Sequence, residues 1–183
     1  MADGLDEGQL DPQKHRLRFQ KSGQAHRQRG WEEATMTLLI NPIAVPMQIG
    51  CYDNDRRVST RTFEGRASEV LLGALEDLMA EFAIVRIIYA SGPGSYMAIK
   101  LTYITLATLE TLRGIPFVAC SAFALNANQP IRAMGHLYFV KEKETIITQK
   151  FDEHVPQEFG LPDYLGDLEL ELENTPLYIL PAV

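Results

Sequence analysis

Residues 85–120, VRIIYASGPGSYMAIKLTYITLATLETLRGIPFVAC, contain the pattern from which the fold can be predicted. The stretch opens with a short apolar, β-branched run, residues 85–90, and closes with a second one, PFVAC, and both runs are typical of buried strands. The residues between them, 96–112, carry only two charged side chains, Lys100 and Glu110, and are predicted to form a helix. A strand, a helix and a second strand make a βαβ unit, in which the two strands are parallel.

The end of this predicted helix is well marked in the sequence. Arg113 suits the negative end of the helix dipole, Gly114 suits the left-handed position that follows a helix, and Pro116 prevents continuation. A helix with so few charges is expected to be covered on several sides. Beyond the second strand, Ser121 is placed to cap a short helix that runs to Asn126.

Three predicted strands precede the βαβ unit. They are TLLIN, which Asn41-Pro42 ends with a turn signal, the alternating MQIGCYD, and VSTRTF. Short polar turns join them, so we expect an antiparallel meander. The predicted order of strand, strand, strand, helix, strand, helix, strand, helix defines an α/β fold with a mixed sheet flanked by helices.

Residues 66–83 are predicted to form the first helix. Its apolar residues cover an arc of roughly 200°, about twice what a helix on a sheet needs. We therefore expect a second apolar neighbour, either another helix of this chain or a partner protein. The apolar residues are Val70, Leu71, Leu72, Ala74, Leu75, Leu78, Met79 and Phe82.

The chain is predicted to have three parts. Residues 1–35 form a basic extension that we expect to be disordered, residues 36–128 form the α/β domain, and residues 129–183 form a short, divergent second half with an acidic tail. In this last part, HLYFV and TIITQKF flank KEKE and suggest a hairpin, and LYIL could add an edge strand. Residues 151–175 hold eight Asp or Glu and no Lys or Arg.

Composition narrows the class of protein. With 183 residues and a formal net charge of −7, the chain is not one whose whole surface attracts nucleic acid. Cys51 and Cys120 lie far apart, and we expect two buried, reduced thiols. No apolar run is long enough to span a bilayer, and we expect no signal peptide, so the predicted location is the cytoplasm.

The basic extension allows three interpretations. Residues 14–29 hold six Lys or Arg and no acid, as in an arm that touches RNA phosphates. The extension could equally be a disordered tail, or sequence upstream of a start at Met36. We favour the interpretations without a folded role, because so few apolar residues cannot offset the entropy cost of ordering.

The Gly92-Pro93-Gly94-Ser95 loop is the one candidate cofactor-binding element. Gly92 and Gly94 would let a phosphate approach the backbone at a helix N-terminus. Pro93 lacks an N–H, however, and the lysine of a phosphate-binding loop is missing. A strand-to-helix turn capped by Ser95 is therefore the favoured interpretation, also over a nucleophilic serine, since the G-x-S-x-G pattern is absent.

Other chemistry-bearing residues show no catalytic or metal-binding spacing. The histidines, His15, His26, His136 and His154, include no i, i+4 pair. Glu76 and Asp77 are adjacent on a predicted helix and so diverge by about 100°. We predict no catalytic residue, no metal site and no cofactor.

The segments ASGPGSYMAIKLTYITLATLETLRGIPFVACSAFAL and ASEVLLGALEDLMAEF resemble the bacterial TsaB (YeaZ) family. The matching motifs are Gly92-Pro93-Gly94-Ser95-Tyr96, Gly114-Ile115-Pro116 and a strand that ends at Ser121. The resemblance covers residues 37–126 and implies the ribonuclease-H-like half of an actin-like ATPase fold. It also implies a role: TsaB-like proteins are non-catalytic scaffolds that pair with the ATP- and metal-binding TsaD. Together with the ATPase TsaE they place threonylcarbamoyl on an adenosine beside the tRNA anticodon.

The chain also departs from the family pattern. Where members have an Asp-Thr-Ser-like loop, this sequence has Asn41-Pro42-Ile43-Ala44, and Ala67 stands where members have a histidine. The histidine-rich metal motif of TsaD is absent as well. Without these residues the chain is less suited to nucleotide chemistry, whereas a scaffold role does not require them.

The resemblance therefore implies a partner subunit for a TsaD-like protein or for a second copy of this chain, in contact with tRNA only through the complex. Its expected contact residues are Leu72, Met79, Tyr103 and Leu106. The alternative is a degenerate ATPase, kinase or peptidase-like enzyme of the same fold that uses the Gly92–Ser95 loop.

Overall fold

A five-stranded mixed sheet forms the centre of the protein in the computed structural model, which describes residues 35–180. The strand order is β3-β2-β1-β4-β5, with β1–β3 antiparallel and β1, β4 and β5 parallel. The predicted meander and βαβ unit are confirmed, whereas the predicted basic extension, apart from Thr35, lies outside the described residues. The strands are β1 Thr35–Asn41, β2 Met47–Asp53, β3 Arg56–Phe63, β4 Ala83–Gly92 and β5 Phe117–Ser121.

Two helices, α1 (Ala67–Glu81) and α2 (Tyr96–Arg113), cover one face of this sheet. The start of α1 is closed by the Glu69 carboxylate, which accepts a hydrogen bond from the backbone N–H of Arg66 at 3.3 Å. Gly114 ends α2 in the left-handed conformation, with φ +67°, as the sequence predicts. The helices also pack against each other, so α2 is the second apolar neighbour that the wide apolar arc of α1 requires.

The opposite face of the sheet is covered by the second half of the chain. A 3₁₀ helix, Ala122–Asn126, follows β5, and a small antiparallel sheet comes next. The predicted hairpin around KEKE is confirmed, with one additional strand before it. The apolar side chains from this half, with those of β1, β2, β4 and β5, form one buried cluster. The small sheet consists of β6 Ile131–Met134, β7 Leu137–Glu142 and β8 Thr145–Lys150.

A segment that we call the strap, residues 159–180, completes this cover. Apart from a 3₁₀ turn at Leu165–Asp167 it has no helix or strand, so the predicted edge strand at LYIL is wrong. Leu161 and Leu165 are buried against the sheet. Backbone carbonyls of the strap accept hydrogen bonds from two buried tyrosines of the sheet: Tyr52 donates to Pro162 and Tyr89 donates to Asn174, each at 2.7 Å.

Both cysteines, Cys51 and Cys120, are buried free thiols, as the sequence predicts. Their side chains lie on opposite faces of the sheet, Cys51 in the cluster under the helices and Cys120 in the cluster under the strap. Among residues 35–180, no helix is both long enough and apolar enough to cross a bilayer.

The hydrogen bond from Tyr52 to Pro162 allows a test of how strongly the strap is held to the sheet. Tyr52→Phe removes the hydroxyl that the Pro162 carbonyl accepts from, and we expect the free energy of unfolding to fall by about 1 kcal/mol. Chemical denaturation measures this loss. Tyr164→Phe, which changes a half-exposed tyrosine of the same strap, is the matched control and should stay within about 0.5 kcal/mol of wild type. Equal stabilities of the two variants would show that the strap is not held through Tyr52.

Candidate functional site

The carboxyl ends of the parallel strands β1, β4 and β5 meet at one edge of the sheet, at Asn41, Gly92 and Ser121. In open α/β sheets this edge is the usual place for a ligand. Two loops lie here: residues 42–46 after β1, and the glycine loop after β4. A ligand-binding site is therefore expected at this edge of the sheet.

The chain itself fills the space beside both glycines of the candidate cofactor loop. Gly92 has φ +136°, and a Cβ there would lie 2.6 Å from the backbone oxygen of Leu177 in the strap. A Cβ on Gly94 would lie 2.8 Å from the side chain of Ile43. These close approaches explain the glycines by packing within the chain.

The two serines of this edge differ in their capping roles. Ser95 occupies the position before α2, and its backbone oxygen accepts from Ile99 at 3.0 Å, but its side chain makes no capping hydrogen bond. The predicted side-chain cap at Ser95 is therefore wrong. The predicted cap at Ser121 is confirmed, because its hydroxyl accepts from the backbone N–H of Phe123 at 3.4 Å.

Asn41 shapes the loop after β1. It is fully buried, and its side-chain oxygen accepts from the backbone N–H groups of Ile43 at 3.3 Å and Ala44 at 3.4 Å. The amide thus holds a local turn at the position where the family that the sequence resembles carries an acid.

A cavity of about 480 Å³ lies between the loop after β1 and residues 131–132 and 157–159. A second one, of about 410 Å³, lies between residues 94–97, 133–134 and 177–180.

A largely buried polar contact at this edge, which joins β4 to the strap, was not predicted from the sequence. The hydroxyl of Ser91, fully buried, lies 2.7 Å from a carboxyl oxygen of Glu171. Removal of the carboxyl from water raises the pKa of Glu171, against the smaller effects of the Ser91 hydrogen bond and of Lys141. No sequence signal separates Glu171 from its acidic neighbours, because only the fold brings it to Ser91.

An anion would meet an acidic side chain at this edge. Glu171 contacts the residue directly before Gly92, so its carboxylate, when ionised, repels a phosphate at the loop. Over residues 35–180 we find no group of three or more His, Cys, Asp or Glu side chains placed to hold a metal ion.

The predicted contact residues separate into three positions. Leu72 is exposed on α1, as predicted. Met79 and Tyr103 are half-buried against the core, with the Tyr103 ring edge-on to Phe117 at 5.8 Å between centroids. Leu106 is fully buried, so its predicted outward position is wrong: it shares with Thr102, one turn earlier, the stripe of α2 that faces the sheet.

The sheet and α1 cover two sides of α2, as expected for a helix with few charges, but its outer face is exposed in the described chain. A shallow groove of about 380 Å³ runs along this face. Two threonines of the groove, Thr108 and Thr111, donate their hydroxyls to the helix carbonyls of Ile104 and Ala107, both at 2.8 Å. Their polar groups are thus satisfied within the helix. The exposed apolar side chains of the two helices are Leu72 at 61%, Met97 at 61%, Ile104 at 50% and Leu112 at 74%.

Comparison with known proteins supports the fold. No family model matches the sequence, and no curated protein matches it. One similar solved structure is "an uncharacterized protein with similarity to peptidase YeaZ from Pseudomonas aeruginosa", with TM-score 0.51, 14% identity, and coverage of 67% of this chain and 70% of that one. Another is YeaZ from Pseudomonas aeruginosa, with TM-score 0.50, 14% identity, and coverage of 81% and 70%. The chain has a YeaZ-like α/β fold, which confirms the predicted fold class.

The glycine loop yields a test of packing within the chain. Gly94→Ala forces the Ile43 side chain to move, and we expect a loss of about 1–3 kcal/mol in the free energy of unfolding. Ile43→Ala in the same chain should remove the clash, so the two changes should be non-additive by at least about 0.5 kcal/mol. Denaturant titration of the four proteins measures this coupling.

Gly73→Ala serves as the control, because a Cβ at this exposed position of α1 meets nothing within 4 Å. It should stabilise the protein by about 0.5–1 kcal/mol through helix propensity. The packing explanation fails if Gly94→Ala is tolerated as well as Gly73→Ala.

Proposed function

We propose that this chain is a non-catalytic scaffold subunit that pairs with a TsaD-like catalytic subunit. The complex, completed by a TsaE-like ATPase, would install threonylcarbamoyl on the adenosine beside the tRNA anticodon. The chain would touch tRNA only through the complex and act in the cytoplasm. The partners come from the resemblance in the sequence, and the YeaZ-like fold is consistent with them.

The observation that carries this proposal is the bare apolar face of the helix pair. Leu72, Ile104 and Leu112 are each at least half exposed, although α1 and α2 already bury their inner faces on the sheet. Ile104 and Leu112 line the groove on α2, whereas Leu72 is exposed on α1 outside it. Exposed aliphatic side chains beside a groove are typical of a protein–protein interface. An interface of this kind needs no acid, metal or nucleotide.

The arrangement of the sheet edge supports the same proposal. Strap and loop atoms lie against Gly92 and Gly94, and Glu171 places an acid next to them. A subunit that works through its surface can have such an edge, whereas an ATPase needs phosphates to approach the backbone of the glycine loop, where Leu177 and Ile43 lie and Glu171, when ionised, repels them.

Acidic substitutions on the helix face test the pairing. We expect Leu72→Asp and Leu112→Asp each to weaken binding to a TsaD-like subunit at least tenfold, because each would bury an unpaired charge at the interface. Co-purification of tagged proteins followed by calorimetric titration measures the effect. Val58→Asp, at a similarly exposed valine of β3 (52%), is the matched control and should bind as wild type does.

The substitutions have three informative outcomes. Loss of binding only in the helix variants supports the proposal, provided that their thermal unfolding matches wild type. Intact binding of both helix variants would refute the assignment of the interface. Wild-type chain that forms a dimer through this face, with no affinity for a TsaD-like subunit, would refute the proposed partner.

A further inference from the structure

The hydroxyl of Ser91 lies within hydrogen-bond distance of two acceptor oxygens, but it has only one proton to donate. The Ser91 oxygen lies 2.7 Å from a carboxyl oxygen of Glu171 and 3.3 Å from the backbone oxygen of Cys120. A serine hydroxyl has one proton to donate. If Glu171 is ionised, Ser91 donates to the carboxylate and the Cys120 carbonyl loses this donor. If Glu171 is protonated, it donates to Ser91 and Ser91 donates to Cys120, so both contacts are satisfied.

The surroundings of Glu171 favour the protonated form. From β4 it is faced by Ser91 and Tyr89, from β5 by Cys120, and from β7 by Lys141, the single cation among these groups. Burial raises the pKa of the Cys120 thiol to about 12, so the thiol is neutral at physiological pH. Loss of water is the main reason for the raised pKa of Glu171. Its acidic neighbours on the strap, Glu169 and Glu173, are exposed.

The same part of the strap covers the edge of the sheet. The backbone N–H of Glu171 donates to Ala119 at 2.9 Å, and that of Leu177 donates to Ser91 at 2.9 Å. Between these two attachments Leu172 is fully exposed.

Asn174 forms a third attachment of the strap: its backbone oxygen accepts from the Tyr89 hydroxyl at 2.7 Å, and its side-chain amide donates to the Phe117 carbonyl at 3.1 Å. Release at Glu171 would free the part of the strap that precedes Asn174, which lies over the end of β5.

We propose that Glu171 is a proton-dependent latch that closes the strap over the carboxyl ends of β4 and β5. In the protonated state the hydrogen-bond chain from Glu171 through Ser91 to Cys120 is complete and the strap is closed. In the ionised state the carboxylate competes for water, and the strap opens more often.

The direction in which pH changes strap opening follows from the difference in the Glu171 pKa between the closed and open states. A carboxyl that binds its proton more tightly in the closed state stabilises that state. The full stabilisation is present when the pH is below the ordinary pKa of glutamate, about 4.3. This contribution is lost as the pH rises through the raised value in the closed protein. The strap is therefore expected to open with rising pH.

Hydrogen exchange of the full chain tests the latch. The amide of Glu171 reports strap opening, once the rates are corrected for the intrinsic pH dependence of exchange. In wild type we expect the opening constant to rise severalfold between about pH 5 and pH 8. Glu171→Gln, whose amide can donate to Ser91 without a charge, should keep the strap protected and make the corrected rates independent of pH. Glu173→Gln should behave as wild type.

A wild-type measurement keeps the test independent of any variant. The Glu171 carboxyl, followed by carbon-13 NMR, should titrate above the ordinary range of glutamate. A titration within or below that range would overturn the proposal. Corrected strap rates that do not change with pH in wild type, or an unchanged pH dependence in Glu171→Gln, would overturn it as well.

Discussion

The structure depends on one constraint: the parallel strands at the centre of the sheet must be covered on both faces. Strands β1, β4 and β5 are rich in apolar side chains that point to either side, and all but a few of these are buried. Helices α1 and α2 cover one face. The other face is covered by the small sheet and by a strap that has almost no regular structure. Since the strap forms few hydrogen bonds within itself, side chains of the sheet bind its backbone instead.

This cover determines what the edge of the sheet can do. At the position where this class of sheet usually binds a ligand, Ile43 and the Leu177 backbone lie against the two glycines, and Glu171 adds an acid. The glycines of the loop are therefore needed for contacts inside the protein. The two cavities of this edge lie beside these contacts. Exposed apolar side chains occur on the outer sides of α1 and α2, and others lie in the loop after β1, at Val45, and in the strap, at Leu172. A groove lies beside those of α2. The account of the protein as a partner subunit rests on the contrast between this groove and the glycine loop.

The elements that could be predicted from the sequence are those that local patterns determine. The βαβ unit, the meander and the hairpin each follow from periodicity and turn residues within about 40 residues. The strap could not be predicted, because its contacts join residues about 80 to 110 positions apart, such as Tyr52 with Pro162 and Ser91 with Glu171. The burial of Leu106 and the exposure of Leu112 were missed for a related reason. Because α2 carries few charges and has apolar residues on every side, periodicity does not show which stripe faces the sheet.

The proposal requires that the chain act through its helix surface and that the glycine loop, whose glycines contact Ile43 and Leu177, bind no nucleotide. Isothermal titration of the full chain with ATP and magnesium, together with a hydrolysis assay, tests this claim most directly. The account predicts no saturable binding at micromolar nucleotide and no turnover. Micromolar, magnesium-dependent binding with turnover by the isolated chain would contradict it.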